Sequence, residues 1–173
     1  MKNVVLVGFM GTGKTTVGAA LSKALGIVQK DLDEVIVEKE GCSIPTLFAE
    51  RGEAYFRDAE SKYLDELLDA GPQILTTGGG VVLRQRNVSA MLQKGTVVAL
   101  FASEEELIKR LENDTGRPLL AGGVAERVRT LLKERAGAYD FAPIQIDTTE
   151  KELQAIVAEI TSRLTESGEN GED

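Results

Sequence analysis

Val4-Val5-Leu6-Val7-Gly8-Phe9-Met10-Gly11-Thr12-Gly13-Lys14-Thr15-Thr16 joins a short apolar run to a Gly-x4-Gly-Lys-Thr turn, and Lys14 to Leu25 follows with the pattern of a helix. Strand, glycine-rich turn and helix in that order make a cradle for polyphosphate. The glycines let the backbone turn tightly with its amides pointing inward, at the positive end of the following helix. On this reading Gly11, Thr12, Gly13, Lys14, Thr15 and Thr16 bind the phosphates of a nucleotide. Lys14 reaches the β- and γ-phosphates, and Thr15 ligates Mg2+ through its hydroxyl. A bound nucleotide alone does not separate a kinase from a switch protein or a motor.

Beyond this turn, short β-rich runs alternate with longer stretches of helical period, the sequence form of βαβ units. Strands are expected at Val4 to Val7, Ile74 to Thr77, Val97 to Phe101 and Ile144 to Ile146, with a weaker one at Ile27 to Lys30. Their near-continuous apolar character suits a sheet covered by helices on both faces. The expected fold is therefore α/β, a three-layer α/β/α sandwich around a mostly parallel five-stranded sheet. Ser103 with Glu106 and Thr149 with Glu152 match the capping pattern of a helix start, while Gly71-Pro72 and Gly95 punctuate helix ends. Residues 1–164 are expected to form one domain, and the acidic stretch 165–173 a disordered tail.

Composition removes several kinds of chemistry. With 173 residues and no histidine, the chain can assemble neither a Ser-His-Asp nor a Cys-His site. Cys42 is the single cysteine, which excludes an internal disulfide and is read as a small structural residue. A formal charge of −8 opposes attraction to nucleic acid or an anionic membrane, so an anionic ligand needs a local positive cluster. No apolar run approaches the roughly 20 residues of a bilayer span, and the run after Met1-Lys2-Asn3 is too short for a signal peptide. A cytoplasmic location is expected.

The chain resembles the shikimate kinase family, within the P-loop kinases. The resemblance rests on Gly8 to Gly18, Leu25-Gly26, Asp31-Leu-Asp33, Gly41-Cys-Ser-Ile44, Gly52-Glu53 with Phe56-Arg57 and Glu60, Thr77-Gly78-Gly79-Gly80, Arg117-Pro118-Leu119-Leu120 and Arg135-x3-Tyr139. These motifs stand in the family's order over about residues 4 to 148. The resemblance implies transfer of the γ-phosphoryl of ATP to the 3-hydroxyl of shikimate, a step toward chorismate and the aromatic amino acids, by a monomer using Mg2+. Lys14, Asp33 and Arg117 would be catalytic. Asp33 would bind the substrate hydroxyls and orient or deprotonate the attacking one, and Asp31 would sit near the magnesium through water.

Asp31 and Asp33 are two apart in what should be an extended segment, so their carboxylates are expected on one side of the chain. The resemblance also implies that Arg57 and Arg135 clamp the substrate carboxylate, a task that suits the planar guanidinium fork. Gly78, Gly79 and Gly80 would let a polyhydroxylated ring approach backbone amides. By the same resemblance the substrate region spans about 31–62. A mobile lid at about 112–124 carries Arg117 over the phosphates, and Arg110 lies against the adenine.

The chain departs from the family at Gln29, where an aromatic is usual and where looser packing beneath the substrate site is expected, and at Ala99 and Glu104. Another small-metabolite kinase, such as one for gluconate, and a noncatalytic nucleotide-binding regulator remain alternative readings.

Overall fold

Every residue of Asn3–Gly8 is buried, as a strand covered on both faces requires. The computed structural model describes residues 2–113 and 123–169. Within them the chain runs β1 (Asn3–Gly8), α1 (Lys14–Leu25), β2 (Gln29–Asp31), α2 (Leu32–Glu40), α3 (Ile44–Arg51), α4 (Glu53–Asp69) and β3 (Ile74–Thr76). A 3-10 turn at Val81–Leu83 leads to α5 (Gln85–Lys94), β4 (Gly95–Phe101), α6 (Glu104–Glu112), α7 (Val124–Glu134), β5 (Ile144–Asp147) and α8 (Leu153–Glu169).

The five strands pair in parallel in the order β2-β3-β1-β4-β5. Side chains alternate across them and divide the core in two. Val5, Val7, Leu75, Val97 and Ala99 meet Leu32, Ile36, Leu47, Phe56, Leu64, Val88 and Met91 from α2 to α5. Val4, Leu6, Ile74, Val98, Leu100, Ile144 and Ile146 meet Val17, Leu21, Ile156 and Ile160 from α1 and α8. Those are the three layers read from the strand pattern. A smaller cluster of Phe9, Leu107, Leu111 and Val128 seats α6 and α7 beside the glycine-rich turn.

Several boundaries differ from the sequence reading, each for a physical reason. The second strand lies at Gln29–Asp31, one or two residues later than expected, because Ile27 packs into the α1–α8 cluster. Ser103 caps α6 by accepting from Glu106 N, but Glu106 does not reach back, since its carboxylate pairs with Arg110. The Ser103 amide donates instead to Thr149 Oγ1, 46 residues away. Thr149 is thereby withdrawn from the cap expected with Glu152, and α8 begins at Leu153. That helix also runs on to Glu169, through the start of the stretch expected to be a disordered tail. Thr165 Oγ1 and Ser167 Oγ donate to the carbonyls of Thr161 and Arg163, one helical turn back. The last four residues of that expected tail lie outside the described residues.

Among the described residues no helix is long and apolar enough to cross a membrane. Cys42 is half-buried against the larger core cluster, in keeping with a structural role.

Candidate active site

The carboxyl ends of β1, β2 and β3 open onto a shared cavity of about 350 Å3. Connections leave β1 toward β2 on one side while β4 lies on the other, so the cavity sits where the sheet's winding reverses and ligands of open α/β sheets bind. Met10, Gly11, Gly13, Lys14, Thr15 and Thr16 form one wall, and Asp31, Asp33, Thr77, Gly78 and Gly79 the other.

The glycine-rich turn is built from within. Gly13 takes φ 93° as it enters α1, a left-handed conformation that a side chain would strain. Thr12 turns its side chain inward, where its buried hydroxyl donates to Phe9 O at 2.8 Å. It therefore braces the loop and leaves ligand contact there to the backbone. Lys14 Nζ donates to Gly8 O (2.7 Å) and Phe9 O (3.0 Å), at the head of the cavity. Arg110 Nη1 donates to Gly11 O and Thr148 Oγ1, both at 3.1 Å, and Nη2 to Thr148 O at 2.9 Å. It ties the loop to the segment after β5 while still lining the cavity.

Asp31 and Asp33 both face the cavity, but not along an extended strand. Asp31 ends β2 and caps α2, accepting from Glu34 N at 3.1 Å, and Asp33 lies in the first helical turn. The strand-to-helix joint, rather than a two-residue pleat, brings them together. Thr76, the cross-strand partner of Asp31, donates its hydroxyl to Asp31 Oδ2 at 2.8 Å. Thr15 Oγ1 stands 3.4 Å from the same oxygen. Asp33 is mostly enclosed, and burial first, then the carboxylates of Asp31 and Glu60, push its pKa up to about 6 against the pull of Lys14 and Arg57.

Gln29 fills its position instead of leaving it loose. Its Nε2 donates to Thr15 O at 3.1 Å and lies against Gly18, fastening β2 to the first turns of α1.

The three glycines after β3 are each set against a different functional side chain. A Cβ on Gly78 would stand 3.2 Å from Asp33 Oδ1, one on Gly79 2.9 Å from Arg135 Nη1, and one on Gly80 2.5 Å from both Nη atoms of Arg57. At Gly79 and Gly80 only a residue without a side chain leaves these groups room where they stand. Arg57 is oriented by the buried Glu60, whose Oε1 accepts from Nη1 at 2.9 Å, and its guanidinium lies 5.1 Å from the centre of the Phe56 ring. Its buried Nε makes no hydrogen bond among the described residues, and the carboxylate that stands nearest it in an ion pair is that of Glu53, at 3.9 Å.

Arg135 rests 5.9 Å from the centre of the Phe9 ring. It caps α7 and does not belong to the helix, so the Arg135-x3-Tyr139 spacing is one of successive turns, not of a helical face.

Sequence reasoning missed Thr76, Glu60 and Phe9 as supports of these groups. Their partners are distant or ambiguous in the chain, and only the Gly-Glu-x-x-Phe-Arg pattern with Glu60 carried a signal. Arg117 and residues 114–122 of the expected lid lie outside the described residues.

A parallel α/β sheet with a phosphate-binding loop facing two carboxylates and a glycine turn across one cavity defines a P-loop phosphotransferase. Similarity to known proteins narrows the class. The family model described as shikimate kinase matches residues 10–165. A shikimate kinase of Sulfurihydrogenibium sp. (strain YO3AOP1) is 39% identical over 164 residues, covering 95% of this chain and 98% of that protein. The structure of shikimate kinase from Acinetobacter baumannii in complex with shikimate superposes with a TM-score of 0.89 at 35% identity, over 96% of this chain and 94% of that one. A gluconokinase from Sinorhizobium meliloti 1021 reaches a TM-score of 0.60 at 19% identity, over 98% of this chain and 94% of that one, a likeness of fold alone. The chain belongs to the shikimate kinase family.

Proposed function

We infer that this protein transfers the γ-phosphoryl group of ATP to the 3-hydroxyl of shikimate, giving shikimate 3-phosphate and ADP. The observation that carries the reading is the cavity itself. One wall is a phosphate-binding loop, and the other is a glycine turn packed against a carboxylate and two guanidinium groups. The shikimate kinase of Acinetobacter baumannii was solved with shikimate, and the likeness supports the same substrate here.

Arg57 and Arg135 bind the ring carboxylate, leaving the hydroxyls toward Asp33. A pKa of about 6 makes Asp33 an ionised acceptor near neutral pH that is still basic enough to be useful. It orients the 3-hydroxyl and takes its proton as that oxygen bonds to phosphorus and the bond to the β–γ bridging oxygen breaks. Loop amides and Lys14 hold the phosphates, Arg110 lies toward the base, and Arg117, which lies outside the described residues, is assigned by the family pattern to stabilise charge on the transferring group.

Thr15 and Asp31 present hard oxygen donors that fit Mg2+. Among the described residues no cluster of three or more His, Cys, Asp or Glu side chains could hold a metal. Thr15 and, through water, Asp31 would hold the ion, which would supply positive charge against the phosphates. Two arginines paired on one acid group distinguish this reading from a gluconate kinase, and an acceptor beside the phosphates distinguishes it from a noncatalytic regulator.

The test is product formation with Mg·ATP and a panel of hydroxy acids, in which ADP release should depend on shikimate. Release dependent on gluconate, or on no acceptor, would refute the assignment. Arg57→Ala should weaken shikimate binding by about two orders of magnitude while ATP binding changes little. Because it also strands buried Glu60, Arg57→Lys is the companion variant. It keeps a cation beside Glu60 but loses the fork, and calorimetry should again find the loss on the acid. A loss confined to the nucleotide would remove Arg57 from the clamp.

A further inference from the structure

Tyr139 joins the glycine turn of the cavity wall to the Arg135 segment, far from it in the chain. Its hydroxyl donates to Gly79 O at 2.6 Å, across 60 residues. Its own carbonyl accepts from Gln145 Nε2 at 3.0 Å, and the same amide nitrogen donates to Ala142 O, also at 3.0 Å. Gln145 is a half-buried polar residue between Ile144 and Ile146 in a sheet strand, where an apolar side chain would serve the core at least as well. Its amide instead gathers two carbonyls of the turns that follow Arg135. The ring of Tyr139 packs against both the α2–α5 core and the α6–α7 cluster, so both ends of the side chain and its middle are held.

We propose that Tyr139, anchored by Gln145 on β5, is a positioning residue that sets the distance between Arg135 and the Gly78–Gly80 turn, and hence the width of the seat for the substrate's carboxylate. Gly79 is the point where both meet. Its carbonyl takes the Tyr139 hydroxyl, and its missing side chain leaves room for the Arg135 guanidinium. With the hydroxyl gone, the glycine turn loses the bond that fixes its spacing from the Arg135 segment, and its carbonyl is free to drift. The two guanidinium groups then lose their common geometry toward one anion, while the phosphate loop keeps its own bonds, from Thr12 Oγ1 to Phe9 O and from Lys14 Nζ to Gly8 O and Phe9 O, none of which involves Tyr139. Bidentate recognition is sensitive to such displacement.

The inference rests on the shikimate reading, and its test separates the two. Tyr139→Phe removes one oxygen and keeps the packed ring. Shikimate Kd and KM should rise about five- to tenfold, with the KM for Mg·ATP within about twofold of wild type and thermal unfolding nearly unchanged. Gln145→Leu should move shikimate KM in the same direction by a smaller factor. The double variant should be little worse than Tyr139→Phe, because both act through one strut.

Unchanged shikimate affinity in Tyr139→Phe, or equal loss for both ligands with lowered thermal stability, would overturn the proposal. Wild-type protein that binds and phosphorylates shikimate normally would in that case leave the function standing. Wild-type protein that binds no shikimate would overturn both.

Discussion

Asp33→Asn lowers kcat by about 10^2–10^3-fold and leaves ATP affinity within about twofold, the size of effect that removal of a positioned base produces. The same substitution stabilises the protein. Burial and two neighbouring carboxylates raise the Asp33 pKa from 3.8 to about 6, so between these values the folded state binds a proton that the unfolded chain does not. Stability from this group is fully present below pH 3.8 and is lost as pH rises through about 6. Above that window the ionised carboxylate costs about 1–3 kcal/mol, a cost that a neutral amide of similar shape avoids.

Chemical denaturation of the two proteins should therefore coincide near pH 4 and diverge toward pH 7, with the inactive variant the more stable. The pH profile of kcat/KM should fall on the acid side with an apparent pKa near 6. Equal stability at pH 7 would mean that the carboxylate is not forced into an unfavourable site. Comparable loss of ATP affinity would contradict the separation between the two walls of the cavity.

That separation shows what a linear reading reaches and what it does not. Lys14–Leu25 is bounded as expected because both ends are written locally, by glycines in left-handed conformation at Gly13 and Gly26. β1, β3 and β4 announce themselves because sheet faces covered by helices need continuous apolar runs, whereas β2 is wholly polar, Gln29-Lys30-Asp31. Asp31 and Asp33 are legible as a pair but not in their geometry, since a two-residue interval fits both a pleat and the joint where a strand enters a helix.

Features joined over long distances were not legible at all. Thr149 carries the letters of a helix cap, yet it is claimed by the Ser103 amide from another element. Thr76 orients Asp31 from 45 residues away, and Tyr139 reaches Gly79 across 60. The sequence names the groups proposed to touch ligand, and the fold supplies those that hold them still. Residues 165–169 escape a linear reading for a different reason. Their polar composition reads as disorder, whereas a helix already nucleated by the core at Ile156 and Ile160 extends through them at small cost per residue.

Gly80→Ala is the sharper test of the substrate wall, because it adds one methyl group where the backbone accepts it. Gly80 has φ −93° and ψ 1°, open to alanine without left-handed strain. The added carbon would stand 2.5 Å from both Arg57 Nη atoms and 2.7 Å from Cζ, so one of them must move. An arginine end is ordinarily free to swing aside, but this one is bound to Glu60, whose side chain is 1% exposed. It can retreat only by loosening that pair or by leaving its place against the glycine turn.

Shikimate affinity should fall by about 30-fold or more, the result of misaligning a charge-assisted fork, with ATP affinity preserved. Thermal stability should drop by no more than about 1–2 kcal/mol, since the clash lies on a side chain and not on the backbone. Gly78→Ala gives the contrast. Its Cβ would meet Asp33 at 3.2 Å, a contact that small adjustments relieve, so its effect should be weaker and should appear in kcat through the orientation of the attacking hydroxyl. Were Gly80→Ala to bind shikimate within twofold of wild type, the acid could not lie on Arg57, because no placement of that guanidinium keeps its present position beside a side chain at residue 80.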